Sequence, residues 1–239
     1  MDYKITPLGD QAVIIEFGKT IDEDAHKRVK SATNYFENKP LEWMTEYIPA
    51  FTTVAVFYDP VKVLDYLGKT EFRLPYELVA EELDRNLATL KEGESAQARV
   101  VEIPVCYGED LGPDLSFVAE HNGLTEKQVI DYHTQGDYLV YMIGFAPGFP
   151  YIGGMTEKIA TPRKKEPRLQ IPTGSVGIAG SQTGVYPIET PGGWQLIGQT
   201  PLPLFQPEQA NPSLLQAGDK VVFKAITRQE YDAYKEGEA

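Results

Sequence analysis

The sequence is poor in the residues that several classes of protein require. Of its 239 residues one is cysteine and three are histidine, so an intrachain disulfide and a cysteine-based zinc site are excluded. Basic residues number 22 against 35 acidic ones, which gives a formal net charge of −13. A chain this acidic is a poor partner for nucleic acid or an anionic membrane surface, because affinity for both depends on Lys and Arg near phosphates.

Long apolar segments are also missing. No run approaches the roughly 18 apolar residues that a bilayer span needs, and the opening MDYKITPLGD lacks the basic and then apolar pattern of a secretory signal. We therefore expect no membrane association and a cytoplasmic location. With 42% hydrophobic and 11% aromatic residues, the composition is typical of a folded globular protein.

The common self-sufficient catalytic motifs are absent from the sequence. It has no glycine-rich phosphate loop, and the glycines at 174, 177 and 180 have the wrong spacing for a dinucleotide fingerprint. It has no nucleophile elbow and no pair of histidines at the spacing of a zinc helix. We therefore predict no metal site in this chain.

Glycine and proline divide the chain near residue 98. Residues 1–98 hold 4 of the 21 glycines and 5 of the 18 prolines, and they predict a small α+β domain. Apolar periodicity and turn signals predict six elements there: a strand at 12–17, a helix at 22–38, strands at 43–48 and 52–58, a helix from Pro75 to a turn at 92–94, and a strand at 99–105. The order β-α-β-β-α-β is that of a split βαβ, or ferredoxin-like, sandwich.

Residues 99–239 predict a β-barrel or sandwich. Asp114 and Thr125 are expected to cap two short helices, and Thr227 with Glu230 forms a capping box for a C-terminal helix. Between them lie short strands separated by Gly and Pro turns, namely YLVYMIG, SVGIAG, VYPIE, WQLIG and KVVFKAI. Strands this short favour a barrel or sandwich over a parallel α/β sheet.

The segment at 137–205 is the candidate functional region. It carries five basic and four acidic residues, a net charge of 5 − 4 = +1 within an acidic chain. In GFAPGFPYIGG, Phe145, Phe149 and Tyr151 supply flat apolar surface, while Pro147 stiffens the loop. Two interpretations stay open: a wall for a ligand or partner, and a barrel loop that packs its aromatic side chains inward.

Two further stretches carry polar groups. Arg163, Lys164 and Arg168 belong to a cluster of four cations in six positions, which is either a carboxylate site or a solvated loop. Downstream, Gln182, Thr183 and Tyr186 offer neutral hydrogen-bonding groups near Trp194 that could hold a small polar amide. Each stretch alone is a weak signal.

Taken together and in this order, the stretches resemble one family. GFAPGFPYIGG and TPRKKEPRLQIPTGSVGIAGSQTGVYPIETPGGWQLIGQTP, with PLGDQAVIIEFG and EYIPAFTTVAVFYDP further upstream, resemble the family once called allophanate hydrolase subunit 1, also known as the carboxyltransferase C and D subdomain family. The resemblance covers nearly the whole chain. It implies an α+β domain at residues 1–98 and a cyclophilin-like β-barrel at residues 99–239.

The resemblance also implies a function. Stand-alone bacterial members are the B-type subunit of ATP-dependent 5-oxoprolinase, which opens 5-oxo-L-proline to L-glutamate with sister subunits, one of them of the allophanate hydrolase subunit 2 type. Since this chain has no phosphate loop, ATP is expected to bind to the assembled complex. Arg168, with Arg163 and Lys164, would meet the substrate carboxylate or a phosphate. Gln182, Thr183 and Tyr186 would hold the lactam, with Phe149 and Trp194 as walls.

A regulatory function is the alternative. The sequence also resembles a Bacillus inhibitor of a sporulation kinase, which implies docking on the dimerisation and phosphotransfer helices of a sensor histidine kinase and a block of its autophosphorylation. The loop from Phe145 to Tyr151 would then form a groove for a proline-containing segment. Both functions could coexist in one chain.

Overall fold

The structure, a computed structural model, describes residues 2–68, 73–90 and 98–237. The chain divides into two units, residues 1–97 and 98–239. The first unit contains an antiparallel sheet and helices, and the second contains a closed β-barrel with further helices. The predicted mixed α+β class is confirmed.

The first unit is built on a four-stranded sheet. Its strands are Lys4–Pro7 (β1), Ala12–Glu16 (β2), Met44–Pro49 (β3) and Thr53–Tyr58 (β4). They lie in the order β1-β2-β4-β3, and each is antiparallel to its neighbours. Three helices complete the described part of the unit: Glu23–Asn38 (α1), Pro60–Leu67 (α2) and Pro75–Ala88 (α3).

Helix α1 confirms the helix predicted from apolar spacing. Asp22 is its N-cap, and the Asp22 carboxylate accepts a hydrogen bond of 2.8 Å from the Ala25 backbone N–H. The predicted apolar positions, including Val29 and Phe36, are buried in the core of this unit. The period of about 3.6 residues therefore identified the buried face correctly.

The predicted order of elements in the first unit is wrong in one respect. The strand predicted at 99–105 belongs to the second unit, and the sheet is completed instead by β1, which the pattern missed. A strand of four residues is too short to show a clear alternation. Helix α2 was also missed, and the turn predicted at 92–94 lies outside the described residues.

Seven strands close the barrel of the second unit, in the order β10-β7-β6-β13-β5-β12-β9. They are Val100–Tyr107 (β5), Tyr138–Ile143 (β6), Pro150–Gly153 (β7), Ser175–Ala179 (β9), Gln182–Val185 (β10), Gln195–Gln199 (β12) and Lys220–Ala225 (β13). β5 and β13 are parallel, and the other pairs are antiparallel. A separate two-stranded ribbon pairs Arg168–Ile171 (β8) with Thr190–Gly192 (β11).

The helices of this unit begin where they were predicted. They are Leu115–Asn122 (α4), Glu126–Thr134 (α5) and Arg228–Glu236 (α6), with a short 3-10 helix at Glu157–Ile159. Thr125 with Gln128 and Thr227 with Glu230 form the expected capping boxes. The strand predicted in VYPIE is wrong, because after Val185 the chain leaves β10 and turns towards the ribbon.

A buried histidine closes a hydrogen-bond network inside the barrel. His133 is fully buried, with Nδ1 2.8 Å from the Tyr107 hydroxyl and Nε2 2.9 Å from the Thr183 hydroxyl. Since Thr183 donates its proton to the Gly177 carbonyl, it accepts from His133 Nε2–H, and Tyr107 donates to Nδ1. Burial lowers the pKa of His133 to about 3, so the ring is neutral and both nitrogens are satisfied.

We expect His133 to make the barrel unit sensitive to mild acid. The unfolded chain has a His133 pKa near 6.5 and therefore binds more protons than the folded chain between this pH and about 3. The stabilisation is complete above pH 6.5 and decreases as the pH falls, by roughly 1 kcal/mol per unit between pH 6 and 5. His133→Gln should reduce the pH slope of the free energy of unfolding by that amount in urea titrations.

The measurement separates His133 from the buried His26 of the first unit. Burial also lowers the pKa of His26, to about 4, but His26 is present in both proteins and cancels in the difference of slopes. Equal slopes for the wild type and His133→Gln would contradict the assignment.

Candidate functional site

An aromatic cavity of about 270 Å³ lies on the outer face of the barrel. Alternate residues of β12 point to opposite sides, so Ile197 packs inside the barrel while Leu196 joins a second apolar cluster outside it. The lining of the cavity comes from this outer cluster, the 144–149 loop, the 163–167 segment and strand β11. The lining residues are Phe145, Phe149, Tyr151, Arg163, Pro167, Tyr186, Pro191, Gly192, Gly193 and Trp194.

Phe149 organises the aromatic wall. Its ring centroid lies 5.0 Å from that of Tyr151, 5.1 Å from Tyr186 and 5.5 Å from Trp194, all in edge-to-face geometry. Edge-to-face pairs at these distances are favourable beyond the area they bury. Because Phe149 itself is 1% exposed, the wall is a packed and preformed surface.

Two glycines allow the aromatic rings to reach their positions. A Cβ atom on Gly184 would lie 3.0 Å from Trp194 and 3.1 Å from Phe149, and one on Gly192 would lie 2.4 Å from the Tyr186 hydroxyl. Any larger residue at these positions would push the rings apart. The cavity therefore depends on the Gly residues of the TGV and PGG stretches.

Arg163 is the cation of the cavity lining. Its guanidinium carbon lies 5.9 Å from the centroid of the Trp194 ring, a distance suited to a cation–π contact. The following residue is fixed by a backbone hydrogen bond of 2.7 Å from Lys164 N–H to the Gly193 carbonyl. No carboxylate among the described residues forms an ion pair with Arg163, so its guanidinium can receive an anion.

Asp114 takes up the other two predicted cations. Its carboxylate accepts two hydrogen bonds of 2.7 Å from the Arg168 guanidinium, one of 3.1 Å from Lys164 and one of 2.7 Å from the Leu196 backbone N–H. Burial by itself would raise the pKa of Asp114, but the hydrogen bonds from Arg168, Leu196 and Lys164 outweigh it, and the pKa lies below its usual value. Asp114 is therefore an ionised, nearly buried anchor.

The cavity brings together six of the eleven predicted site residues. They are Phe145, Phe149, Tyr151, Arg163, Tyr186 and Trp194. Lys164 and Arg168 lie beside the cavity on Asp114 and do not line it. Burial raises the pKa of Tyr186 to about 12, so its hydroxyl stays protonated.

Three predicted residues lie outside the lining. Thr183 is fully buried inside the barrel, where its hydroxyl contacts His133 and the Gly177 carbonyl. Gln182 is half-buried at the start of β10, and Pro147 is exposed in the 144–149 loop. Because successive residues of a strand face opposite sides, Gln182 and Thr183 do not act on one surface.

Sequence reasoning missed the anchoring role of Asp114. The pattern marked Asp114 only as the cap of α4, yet its carboxylate makes no hydrogen bond to that helix. Its partners are 50, 54 and 82 residues further along the chain. A local pattern carries no signal for such contacts.

The described residues offer neither a metal cluster nor a membrane span. Across residues 2–68, 73–90 and 98–237, no three His, Cys, Asp or Glu side chains come together in a way that would hold a metal ion. None of the helices in these ranges combines the length and the apolar content of a bilayer span.

Comparison with known proteins gives relatives along the whole chain. A curated relative from Bacillus subtilis (strain 168), named as the B-type subunit of 5-oxoprolinase, is 53% identical over 234 residues, which cover 98% of this chain and 97% of the relative. A crystal structure of a conserved uncharacterized protein of Pyrococcus horikoshii is 45% identical, with a TM-score of 0.55, and the match covers 95% of this chain and 100% of that one.

A more distant likeness concerns the fold alone. The crystal structure of the K. lactis urea amidolyase is 17% identical with a TM-score of 0.75, and the match covers 99% of this chain and 16% of that one. The family model described as carboxyltransferase domain, subdomain C and D, matches residues 3–215. The chain, with its aromatic cavity on the outside of a closed barrel, belongs to this carboxyltransferase subdomain C and D family.

Proposed function

We propose that the chain is the B-type subunit of an ATP-dependent 5-oxoprolinase, which opens 5-oxo-L-proline to L-glutamate together with sister subunits. The name and the 53% identity of the Bacillus subtilis relative support this proposal. One structural observation carries it: the aromatic cavity holds a cation, Arg163, that no described carboxylate neutralises. A small apolar ring with one carboxylate matches such a cavity in size class, shape and charge.

The substrate supplies three groups for three parts of the cavity. In this proposal Arg163 binds the carboxylate of 5-oxoproline, because a guanidinium can donate two parallel hydrogen bonds to it. The methylene edge of the ring lies against Phe149 and Trp194. The Tyr186 hydroxyl, which stays protonated because burial raises its pKa to about 12, donates to the lactam carbonyl.

Other predicted contacts take a supporting role in the proposal. Arg168 and Lys164 act through Asp114, which holds the 163–168 segment beside the cavity. They are positioning residues in this scheme. Thr183 is left out, since its hydroxyl has its partners inside the barrel, and Gln182 lies outside the lining.

ATP belongs to the assembled complex in this proposal. A triphosphate needs several cations or a cradle of backbone N–H groups, whereas Arg163 is the one cation of the cavity lining and Lys164 and Arg168 are engaged by Asp114. These residues do not fit a triphosphate, and we derive no step through ATP on this chain. We assign ATP binding to the sister subunits, one of them of the allophanate hydrolase subunit 2 type, and the complex to the cytoplasm.

Two finer features of the fold belong to the same proposal. The family resemblance implies that the closed barrel is cyclophilin-like and that the first unit is ferredoxin-like. The strand order β1-β2-β4-β3 supports the second point, because a ferredoxin-like sheet has this order of neighbours when its last strand is supplied by the N-terminus.

We expect Arg163→Ala to weaken substrate binding. Loss of a charge-assisted, bidentate contact should raise the KM for 5-oxoproline by roughly tenfold or more, because such contacts contribute about 1.5–3 kcal/mol. The measurement is steady-state turnover of 5-oxoproline by this chain combined with its sister subunits and ATP.

Lys165→Ala is the matched control for Arg163→Ala. Lys165 is exposed in the same segment and lies outside the cavity lining, so its loss removes the same charge without a substrate contact. A KM that is unchanged in Arg163→Ala, or equally raised in Lys165→Ala, would contradict the assignment of Arg163.

We expect Asp114→Asn to loosen the segment that carries Arg163. Asp114 is nearly buried, and its loss of charge leaves the partly buried Arg168 without a counter-ion. Breaking such a pair is expected to lower the free energy of unfolding by about 3 kcal/mol. It should also raise the KM for 5-oxoproline, and urea unfolding with steady-state kinetics measures both effects.

Asp110→Asn controls for the general loss of an acidic residue. Asp110 forms an exposed ion pair of 2.7 Å with Arg228, and exposed pairs contribute less than about 1 kcal/mol. Equal effects of the Asp114 and Asp110 substitutions on stability would show that the buried anchor has no special role.

Inhibition of a sensor histidine kinase stays the alternative prediction. The exposed ring of Phe145 beside an aromatic cavity would suit a proline-containing segment of the kinase phosphotransfer domain. The isolated chain should then block autophosphorylation of a purified kinase at stoichiometric amounts. Undiminished autophosphorylation with excess chain would exclude this alternative for that kinase.

A further inference from the structure

Phe145 has a backbone conformation that its side chain disfavours. Its φ is +70°, in the left-handed region, where a bulky residue without a functional reason is rare. Within the described ranges, the other residue apart from glycine with positive φ is Glu109. Two hydrogen bonds of 3.0 Å, from Gly144 N–H to the Phe149 carbonyl and from Phe149 N–H to the Ala146 carbonyl, hold the turn around Phe145.

The side chain of Phe145 does not compensate for this strain by packing. It is 63% exposed, whereas Phe149 and Tyr186 are each 1% exposed and Trp194 is 5% exposed. Its one described ring contact is edge-to-face with Phe149, at a centroid distance of 5.5 Å. Glycine would adopt the same turn without strain and without placing an aromatic ring in water.

The position of Phe145 supplies a reason for both penalties. Its ring is part of the lining of the cavity and lies at its exposed side. Because the turn is fixed by its hydrogen bonds, the ring is already in place before a ligand arrives. Strained residues of this kind collect at ligand clamps, where the strain positions a group that is used on binding.

We propose that Phe145 is a specificity-determining residue that covers the apolar edge of the substrate ring in the aromatic cavity. This inference rests on the proposed function. In the free chain the exposed face of Phe145 is hydrated, and a bound 5-oxoproline ring displaces this water between Phe145 and the Phe149 wall. The contact is the same in the ground state and the transition state, so it lowers KM and leaves kcat unchanged.

The test uses this chain reconstituted with its sister subunits and ATP, and three substitutions at one position. Phe145→Gly removes both the ring and the strain, Phe145→Ala removes the ring and keeps the strain, and Phe145→Tyr keeps a flat ring. We expect Gly and Ala to raise the KM for 5-oxoproline about tenfold with kcat unchanged, since aromatic contacts have this strength. Tyr should restore a KM near that of the wild type.

Stability provides the second readout. The midpoint of urea unfolding should be higher for Phe145→Gly than for Phe145→Ala, because only Gly relieves the positive φ. Glu109→Gly is the matched control for strain. Its φ is +50° and it lies outside the cavity lining, so it should raise the unfolding midpoint and leave KM unchanged.

Each outcome decides the inference. A KM raised in the Gly and Ala variants and restored in Tyr supports it, whereas an unchanged KM in Phe145→Gly overturns it. A midpoint that is no higher for Gly than for Ala overturns the strain argument and the inference with it. If Arg163→Ala raises KM and Phe145→Gly does not, only the role of Phe145 fails. Absence of 5-oxoproline turnover in the wild-type complex overturns the proposed function and this inference together.

Discussion

The carboxylate of Asp114 is the contact on which the cavity depends most. It accepts four hydrogen bonds from three separate stretches of chain, at Lys164, Arg168 and Leu196, and the Asp114 backbone N–H adds a fifth bond of 2.8 Å to the Leu196 carbonyl. A two-stranded ribbon such as β8–β11 is marginal in water on its own. Asp114 fixes the first residue of β8 to β12 and to the start of α4, so the ribbon becomes a stable wall of the cavity.

This arrangement also divides the local positive charge. Without Asp114, Lys164 and Arg168 would repel Arg163 and add further cations at the rim of the cavity. With Asp114 ionised, their charge is balanced within the protein, and Arg163 remains for an external anion. The distribution suits a ligand with one carboxylate better than a polyanion, which agrees with the formal net charge of −13 for the whole chain.

Local sequence patterns predicted the parts of the structure that local physics determines. Helix α1 and its Asp22 cap follow from apolar spacing and capping chemistry, and the aromatic character of the GFAPGFPYIGG loop follows from composition. The ribbon strands were missed, since TPG and a four-residue RLQI show no alternation. Thr183 was grouped with Gln182 because they are adjacent in sequence, although adjacent strand residues face opposite sides.

The contents of the cavity bear on how a lactam could be opened there. Hydrolysis of a stable amide needs a group that activates water and a group that activates the amide oxygen. The lining has one guanidinium, two phenol groups and apolar rings, and it contains no carboxylate or histidine. His133, the nearest candidate base by type, is neutral and enclosed in the barrel by Tyr107 and Thr183. Under the proposed function this chain therefore binds and orients the ring, and the groups that activate water and the amide come from the sister subunits.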